Sequence, residues 1–332
     1  MDTAQEPTAQ RLTERELTER EHTEPEHAER ELTEREHAAR EFETHRPRLF
    51  SLAYRMLGSA AEAEDAVQDA YLRWHGAEPG RVAVPGAWLA KVVTNLCLNR
   101  LGSARVQREE YFGPWIPEPV ETGSGVLGPM ETAEQRDAVS FAVLTLMERL
   151  SPPERAALVL RDAFDYSHRD IAGVLDCSEA NARQLYRRAG QHLADGRARF
   201  TSSRAQDDEL LARFLAAASG GAMDRLEQLL SEQVVVWSDG GGKASAATRP
   251  VAGRDNVVRF LVGLFSKWVN GTEISFAEVN GVPAVVGRAD GELTAFGALE
   301  LGEGGITGVR LVLNPDKLAF LATQLHDLSQ NG

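Results

Sequence analysis

The stretch FDYSHRDIAGVLDCSEANARQLYRRAGQHLADGRARF, from Phe164 to Phe200, holds two short helical patterns on either side of a tight turn. Ser167 is placed to cap a first helix, with Ile171, Val174 and Leu175 apolar at helical spacing. Small Ala172 lets a second helix cross closely. Asp176 and Cys177 make the turn, and Ser178 caps a second helix whose inner face is Ala182, Leu185 and Ala189. Asn181, Arg183, Gln184, Arg187 and Arg188 are left pointing outward. These side-chain types read base edges and hold phosphates, so the unit reads as a DNA-contacting helix-turn-helix. The competing reading is a helical hairpin whose arginines form a solvated face. Asp176 stands where such turns favour glycine, although Asp tolerates the left-handed conformation.

Charge is distributed unevenly along the 332 residues, whose formal net charge is -14. Residues 1–44 carry 14 acids and 6 arginines, residues 45–206 carry 20 acids and 20 bases, and residues 207–332 carry 16 acids and 10 bases. Between Ser178 and Arg204 six arginines face only Glu179 and Asp195. A basic helix on an acidic protein still binds duplex DNA, because charge is screened beyond about 8–10 Å. Cys97 and Cys177 fall in helical patterns, outside any zinc or redox spacing, and read as small buried apolar residues. No apolar run approaches the roughly 20 residues that span a bilayer, and no signal peptide is evident. A cytoplasmic protein is expected, with no metal and no cofactor.

Residues 11–44 repeat a five-residue unit: RELTE, REHTE, PEHAE, RELTE, REHAA. Five residues advance a helix by about 140°, so the leucines and histidines wind around the axis without forming an apolar stripe. Residues 1–41 therefore predict disorder or a fluctuating helix, interrupted at Pro25. Residues 42–108 read as a compact helical domain, 109–130 as a Pro/Gly-rich linker, and 131–204 as a second helical domain with a helix over 131–150. From 207 to 328 helices come first and an antiparallel sheet later, an α+β domain.

This layout resembles a sigma-70 factor of the extracytoplasmic-function (ECF) group: region 2, a flexible linker, and region 4. The resemblance implies that Asp65, Gln68 and Asp69 dock on the β′ clamp of core RNA polymerase. It implies that Trp88, Lys91, Asn95, Asn99 and Arg100 open and read the −10 element, with the loop Gly76–Gly86 pocketing a flipped base. The helix-turn-helix, through Ser178, Asn181, Arg183, Gln184, Arg187 and Arg188, would read the −35 element beside the β flap. Asn99 and Gly102 stand where the family commonly has an acid and an arginine. Trp88 also reads as a core residue, and Asp65–Asp69 as a solvated acidic face.

Three further motifs are similar to the sigma J type, which carries a SnoaL-like (NTF2-like) C-terminal extension. They are Tyr111–Pro119 in the linker, Asp239-Gly240-Gly241-Gly242-Lys243 after the first strand, and Asn314-Pro315-Asp316-Lys317-Leu318 at the last helix. The resemblance implies that the extension acts in cis. A latch is expected in which Trp115, Pro117, Glu118 and Pro119 pack near Asp239–Lys243 and Asn314–Leu318. SnoaL-like folds often hold a small molecule in an apolar cone, here with Trp237, Asp239, Phe260, Phe276 and Phe296 as candidate lining. No His/Asp pair at suitable spacing appears, so an enzyme is not expected. Two other readings fit parts of the pattern: a helix-turn-helix regulator that never meets polymerase, and a SnoaL-like enzyme or ligand sensor fused to a DNA-binding segment.

Overall fold

The computed structural model describes residues 33, 35–77, 82–124, 127, 139–194, 204–268, 271–302 and 304–331. Most of the five-residue repeat, the middle of the loop 76–86, the expected helical stretch 131–138 and the tail 195–203 lie outside them.

A first helix, α1, covers 35–57 and so reaches back into the repeat, earlier than the Phe42 start expected. It stops at Gly58, whose φ of 68° lets its N–H return to the Tyr54 carbonyl at 2.7 Å. Ser59 then caps α2 (Ala60–His75) by accepting from the Glu62 N–H. Helix α3 (Pro85–Glu109) runs one turn or more beyond the apolar pattern that defined it. In the second helical module Ser140 caps α4 (Phe141–Met147), and Ser151 opens α5 (Pro152–Asp162) with a capping box to Glu154. Residues 139–140 therefore interrupt the helix expected over 131–150, whose stretch 131–138 lies outside the described residues. Helices α6 (His168–Val174) and α7 (Glu179–Ala194) follow.

Both helical modules share one apolar cluster running from Phe42 to Leu193. Leu49, Leu52, Leu89 and Val93 of the first module and Leu160, Ile171 and Ala182 of the second all belong to it. They are one packed body here.

The C-terminal domain contains α8 (Arg204–Ser219), α9 (Met223–Leu229), β1 (Leu230–Asp239), β2 (Val251–Ala252) and α10 (Arg254–Trp268). Strands β3 (Glu273–Val279), β4 (Val282–Ala289), β5 (Glu292–Gly302) and β6 (Gly305–Val312) and helix α11 (Pro315–Asn331) complete it. Asn280-Gly281 and Asp290-Gly291 join β3 to β4 and β4 to β5 with positive φ at both residues, the backbone that tight hairpins require. The sheet order is β2-β1-β6-β5-β4-β3. Contrary to the antiparallel expectation the sheet is mixed: β1 runs parallel to β6, from Val235 opposite Gly308 to Asp239 opposite Val312. The meander β3–β6 returns to β1 only after the α10 crossover, which sets that direction.

The two faces of the sheet have different covers. Helices α8–α10 pack on Val234, Val236, Ile306, Val309 and Leu311. Opposite them, Phe296, Ala298 and Val312 meet Ile116, Phe141, Leu318 and Leu321, drawn from the linker, α4 and α11. Phe141 lies 5.2 Å from Phe296, and Phe320 stacks on Phe50 of α1 at 5.4 Å, so the C-terminal domain touches both helical modules. The described part of the linker is packed: Ile116, Pro117, Pro119 and Val120 are buried between modules.

Candidate nucleic-acid interface and interdomain junction

The helix-turn-helix is built by local hydrogen bonds. Ser167 and Asp170 form a reciprocal cap at α6, and the Asn181 N–H donates to Ser178 Oγ at 3.2 Å at the start of α7. Asp176 adopts φ 48°, so it fills the left-handed turn position in place of glycine. Ala182, Leu185 and Ala189 are buried, while Ser178, Asn181, Arg183, Gln184, Arg187 and Arg188 are exposed on one side. Arg183 pairs with Glu179, and Arg188 lies 3.3 Å from Glu154 of α5. For Arg187 no ion pair occurs among the described residues.

On α3, Trp88 is half-buried against Trp74, with ring centroids 5.8 Å apart, so its face is shared between core and surface. Asn95 is half-buried and Asn99 exposed. Lys91 is engaged: its ammonium donates to Asp176 Oδ1 at 2.6 Å and to the Gly173 carbonyl at 2.8 Å, both on the helix-turn-helix. Arg100 turns toward α2, 2.7 Å from Asp69 and 3.7 Å from Asp65. A residue expected to help open and read the −10 element thus faces two expected to meet polymerase, and Gln68 beside them is exposed. Between α3 and α6 lies a cleft of ≈ 980 Å³ lined by residues including His45, Arg48, Trp88, Lys91, Phe164 and Arg169.

The junction with the C-terminal domain is centred on Asp239, 0 % exposed at the end of β1. One carboxylate oxygen accepts from Tyr111 Oη at 2.5 Å; the other accepts from the Ile116 N–H at 3.0 Å and from Lys317 Nζ at 2.7 Å. Lys317 also donates to the Ile116 carbonyl at 2.6 Å. Burial pushes the Lys317 ammonium below its usual value, and the Asp239 charge and hydrogen bond pull it back. Burial, then the bond to Asp239, holds the Tyr111 phenol well above its ordinary range.

Around that pair Trp115 is held between two cations, Arg108 at 4.0 Å and Lys317 at 4.4 Å from the ring centroid. Glu148 of the second helical module bridges Arg108 and Arg155, so all three modules meet here. Asn314 donates to Tyr111 Oη at 2.9 Å and accepts from the Asp316 N–H, while Lys243 pairs with Asp316. Gly241, at φ 57°, leaves room for Asn314; a Cβ there would lie 2.2 Å from its Nδ2. The structure thus brings Trp115, Asp239–Lys243 and Asn314–Leu318 together.

Glu118 serves at another place. Its carboxylate accepts from the Ala60 and Ala61 N–H groups at 2.8 and 3.0 Å and from Ser59 Oγ at 2.7 Å, so the linker caps α2.

A second anchor was missed in the sequence. Asn280, buried in the β3–β4 turn, exchanges hydrogen bonds with the backbone of Val120. Its side chain also donates to Tyr54 Oη at 2.6 Å and to the Val139 carbonyl at 2.8 Å. The Asn-Gly pair signals a hairpin; nothing local signals the clamp.

The apolar cone departs from expectation. Asp239 and Trp237 point to the linker side of the sheet, with Arg310 3.8 Å over Trp237, because alternate strand residues share a face. Phe276 is 60 % exposed on edge strand β3, and Phe260 packs among the helices. Only Phe296 of the expected lining borders the cavity, which measures ≈ 40 Å³. Among the described residues no cluster of three His, Cys, Asp or Glu could hold a metal ion, and no helix is long and apolar enough to cross a membrane.

Comparison with known proteins gives a consistent answer. Residues 42–106 match Sigma-70 region 2 and residues 140–193 match Sigma-70, region 4. The ECF RNA polymerase sigma factor SigJ of Mycobacterium tuberculosis is 36% identical over 287 residues, covering 83% of this chain and 92% of the relative. The probable ECF RNA polymerase sigma factor SigI of the same organism is 29% identical over 288 residues, covering 86% and 96%. The crystal structure of M. tuberculosis SigJ aligns with TM-score 0.67 at 35% identity, covering 85% of this chain and 98% of that one.

Proposed function

The chain belongs to the extracytoplasmic-function sigma-70 family, and from that premise we propose that it reads a −35 element through α7 and opens a −10 element through α3 under control of its own C-terminal domain. As a sigma factor it works with core RNA polymerase in transcription and is not an enzyme. Asn181, Gln184 and Arg187 on the open side of α7 supply base-edge and phosphate contacts. Trp88, Asn95 and Asn99 supply a stacking surface and amides for unpaired bases, worth about 1–3 kcal/mol per stacked base. Asp65, Gln68 and Asp69 offer the clamp an acidic face, which Arg100 orients. The cytoplasm is the compartment this work requires.

The observation that carries the regulatory part is the occupied state of Lys91. A lysine on the −10 side is tied to the −35 module by Asp176 and Gly173. The two modules share one apolar core, and the linker junction at Asp239 and Asn280 holds them to the C-terminal domain. Two readers packed on each other cannot reach two separate promoter elements, so the state is closed and polymerase must open it. With a cavity of ≈ 40 Å³, room for about one or two waters, control runs through the junction and not through a small ligand seated in the cone.

Run-off transcription on a random promoter library, with and without core polymerase, tests the reading. Specific start sites are expected only when both the chain and core polymerase are present. Promoter binding without restored initiation would instead fit a helix-turn-helix regulator that never meets polymerase.

A further inference from the structure

We infer that the chain forms a two-fold dimer in which strand β3 pairs with β3 of a second copy, antiparallel and centred on Ser275. Both faces of the sheet are covered, by α8–α10 on one side and by the linker, α4 and α11 on the other, so its edges are what remains. The two edges are unlike. Strand β2 is two residues long, Val251–Ala252, and offers almost no ladder. Strand β3 runs from Glu273 to Val279 at the opposite end of the sheet, paired to β4 without a register shift. Among the described residues its outer side is occupied only at its end. There the linker straps it: Glu121 lies opposite Val279, and the Thr122 N–H donates to the Glu278 carbonyl at 3.0 Å. The stretch 273–277 stays open. Exposed edges are ordinarily guarded by lysine, proline or a bulge. This one carries Ile274 and Phe276, 42 % and 60 % exposed, and its charge is confined to Glu273 at the far end.

The strap also fixes which backbone groups face outward. The Glu278 carbonyl and the Asn280 N–H both bond to the linker, so the even-numbered residues of β3 turn their N–H and C=O away from β4. Ile274 and Phe276 therefore hold the free donors and acceptors of the open stretch, and their side chains share one face of the sheet. On that face Ile274 borders Leu211 and Phe214 of α8 and Phe265 of α10. A second copy matches this edge in register as well as in character. The midpoint of 273–277 is Ser275. A two-fold axis there sets Ile274 of each copy opposite Phe276 of the other, and Glu273 opposite Ala277. The outward N–H and C=O groups of Ile274 and Phe276 then pair, and the apolar side chains of both copies meet. An axis on Phe276 instead sets Ile274 against Glu278, whose carbonyl Thr122 already occupies. With β2 so short, association closes at two copies and does not propagate. The strap belongs to the closed arrangement of linker and C-terminal domain, so the dimer is a form of the closed chain. It does not depend on how α3 or α7 meets DNA.

Sedimentation of the full chain over a series of roughly 1–200 µM is expected to show its mass doubling with concentration. Phe276→Lys, at an exposed position, is expected to raise the dissociation constant at least about tenfold while leaving thermal unfolding of the dilute chain unchanged. The register is read separately, with Ile274 and Phe276 intact. In a Cys177→Ser background, where Cys97 is buried, Ser275→Cys faces its own copy in a non-hydrogen-bonded pair. Such Cα atoms lie about 4.5 Å apart, within reach of a disulfide. Mild oxidation is expected to link the two copies at least about tenfold faster than with Glu273→Cys, whose opposite residue is Ala277. A chain that stays monomeric throughout the series overturns the inference. So does a dimer that Phe276→Lys leaves intact, or one that does not link preferentially through Ser275→Cys.

Discussion

Lys317 and Asp239 form an ion pair removed from water, and such pairs are costly to break on one side only. Lys317→Met leaves a buried carboxylate with one fewer partner, with an expected loss of about 3–5 kcal/mol. The double variant Asp239→Asn with Lys317→Met removes both charges and should lose distinctly less. Denaturant titration checks the ordering; equal losses would place the pair outside the junction's energetics. On the DNA side, Arg187→Ala is expected to weaken duplex binding and lower the salt slope of log K by about 1. An unaltered slope would remove Arg187 from phosphate contact. The sequence exposed the residues of α7 because their spacing is local. It showed Asp239-Gly240-Gly241-Gly242-Lys243 as a turn, but Asp239's partners Tyr111 and Ile116 lie more than a hundred residues away, beyond any local signal.

Helix α6 was legible because Ser167 and Asp170 sit at cap spacing, and that cap gives a pH test. The Ser167 hydroxyl and N–H donate to the Asp170 carboxylate and hold its pKa below the usual value. Because the folded value is depressed, the cap's contribution is full above the ordinary Asp range and is lost as pH falls through the folded value. Amide exchange across α6 should accelerate on acidification below about pH 4, and Asp170→Asn should flatten that dependence. The turn after α6 gives a second test. Asp176→Gly eases a left-handed residue while releasing Lys91, so stability should change by no more than about 1 kcal/mol, whereas duplex affinity rises. Weaker DNA binding by that variant would contradict a closing role for the contact. The linker was illegible for the opposite reason. Proline and glycine composition reads as a loop, yet Val120 is paired by Asn280 and Glu118 caps α2, both through distant partners. The parallel pairing of β1 with β6 was hidden likewise, since alternation records which face a residue takes and not the neighbour of its strand.

At the scale of the whole molecule, the C-terminal domain, linker and two helical modules meet through Trp115, Asp239, Lys317 and Asn280, and the two helical modules pack on each other through one apolar cluster. Buried pairs far apart in the chain make the closed state cooperative, so weakening one anchor should loosen both readers. The direct measurement is the distance between spin labels on α2 (Arg73→Cys) and α7 (Gln191→Cys) in the Cys177→Ser chain. A single short distance is expected for the free chain, and a longer one after core polymerase and promoter DNA are added. In a Lys317→Met free chain, a broad distribution reaching longer distances is expected. Unchanged distances in both the assembled complex and the junction variant would contradict a closed state held by the C-terminal domain.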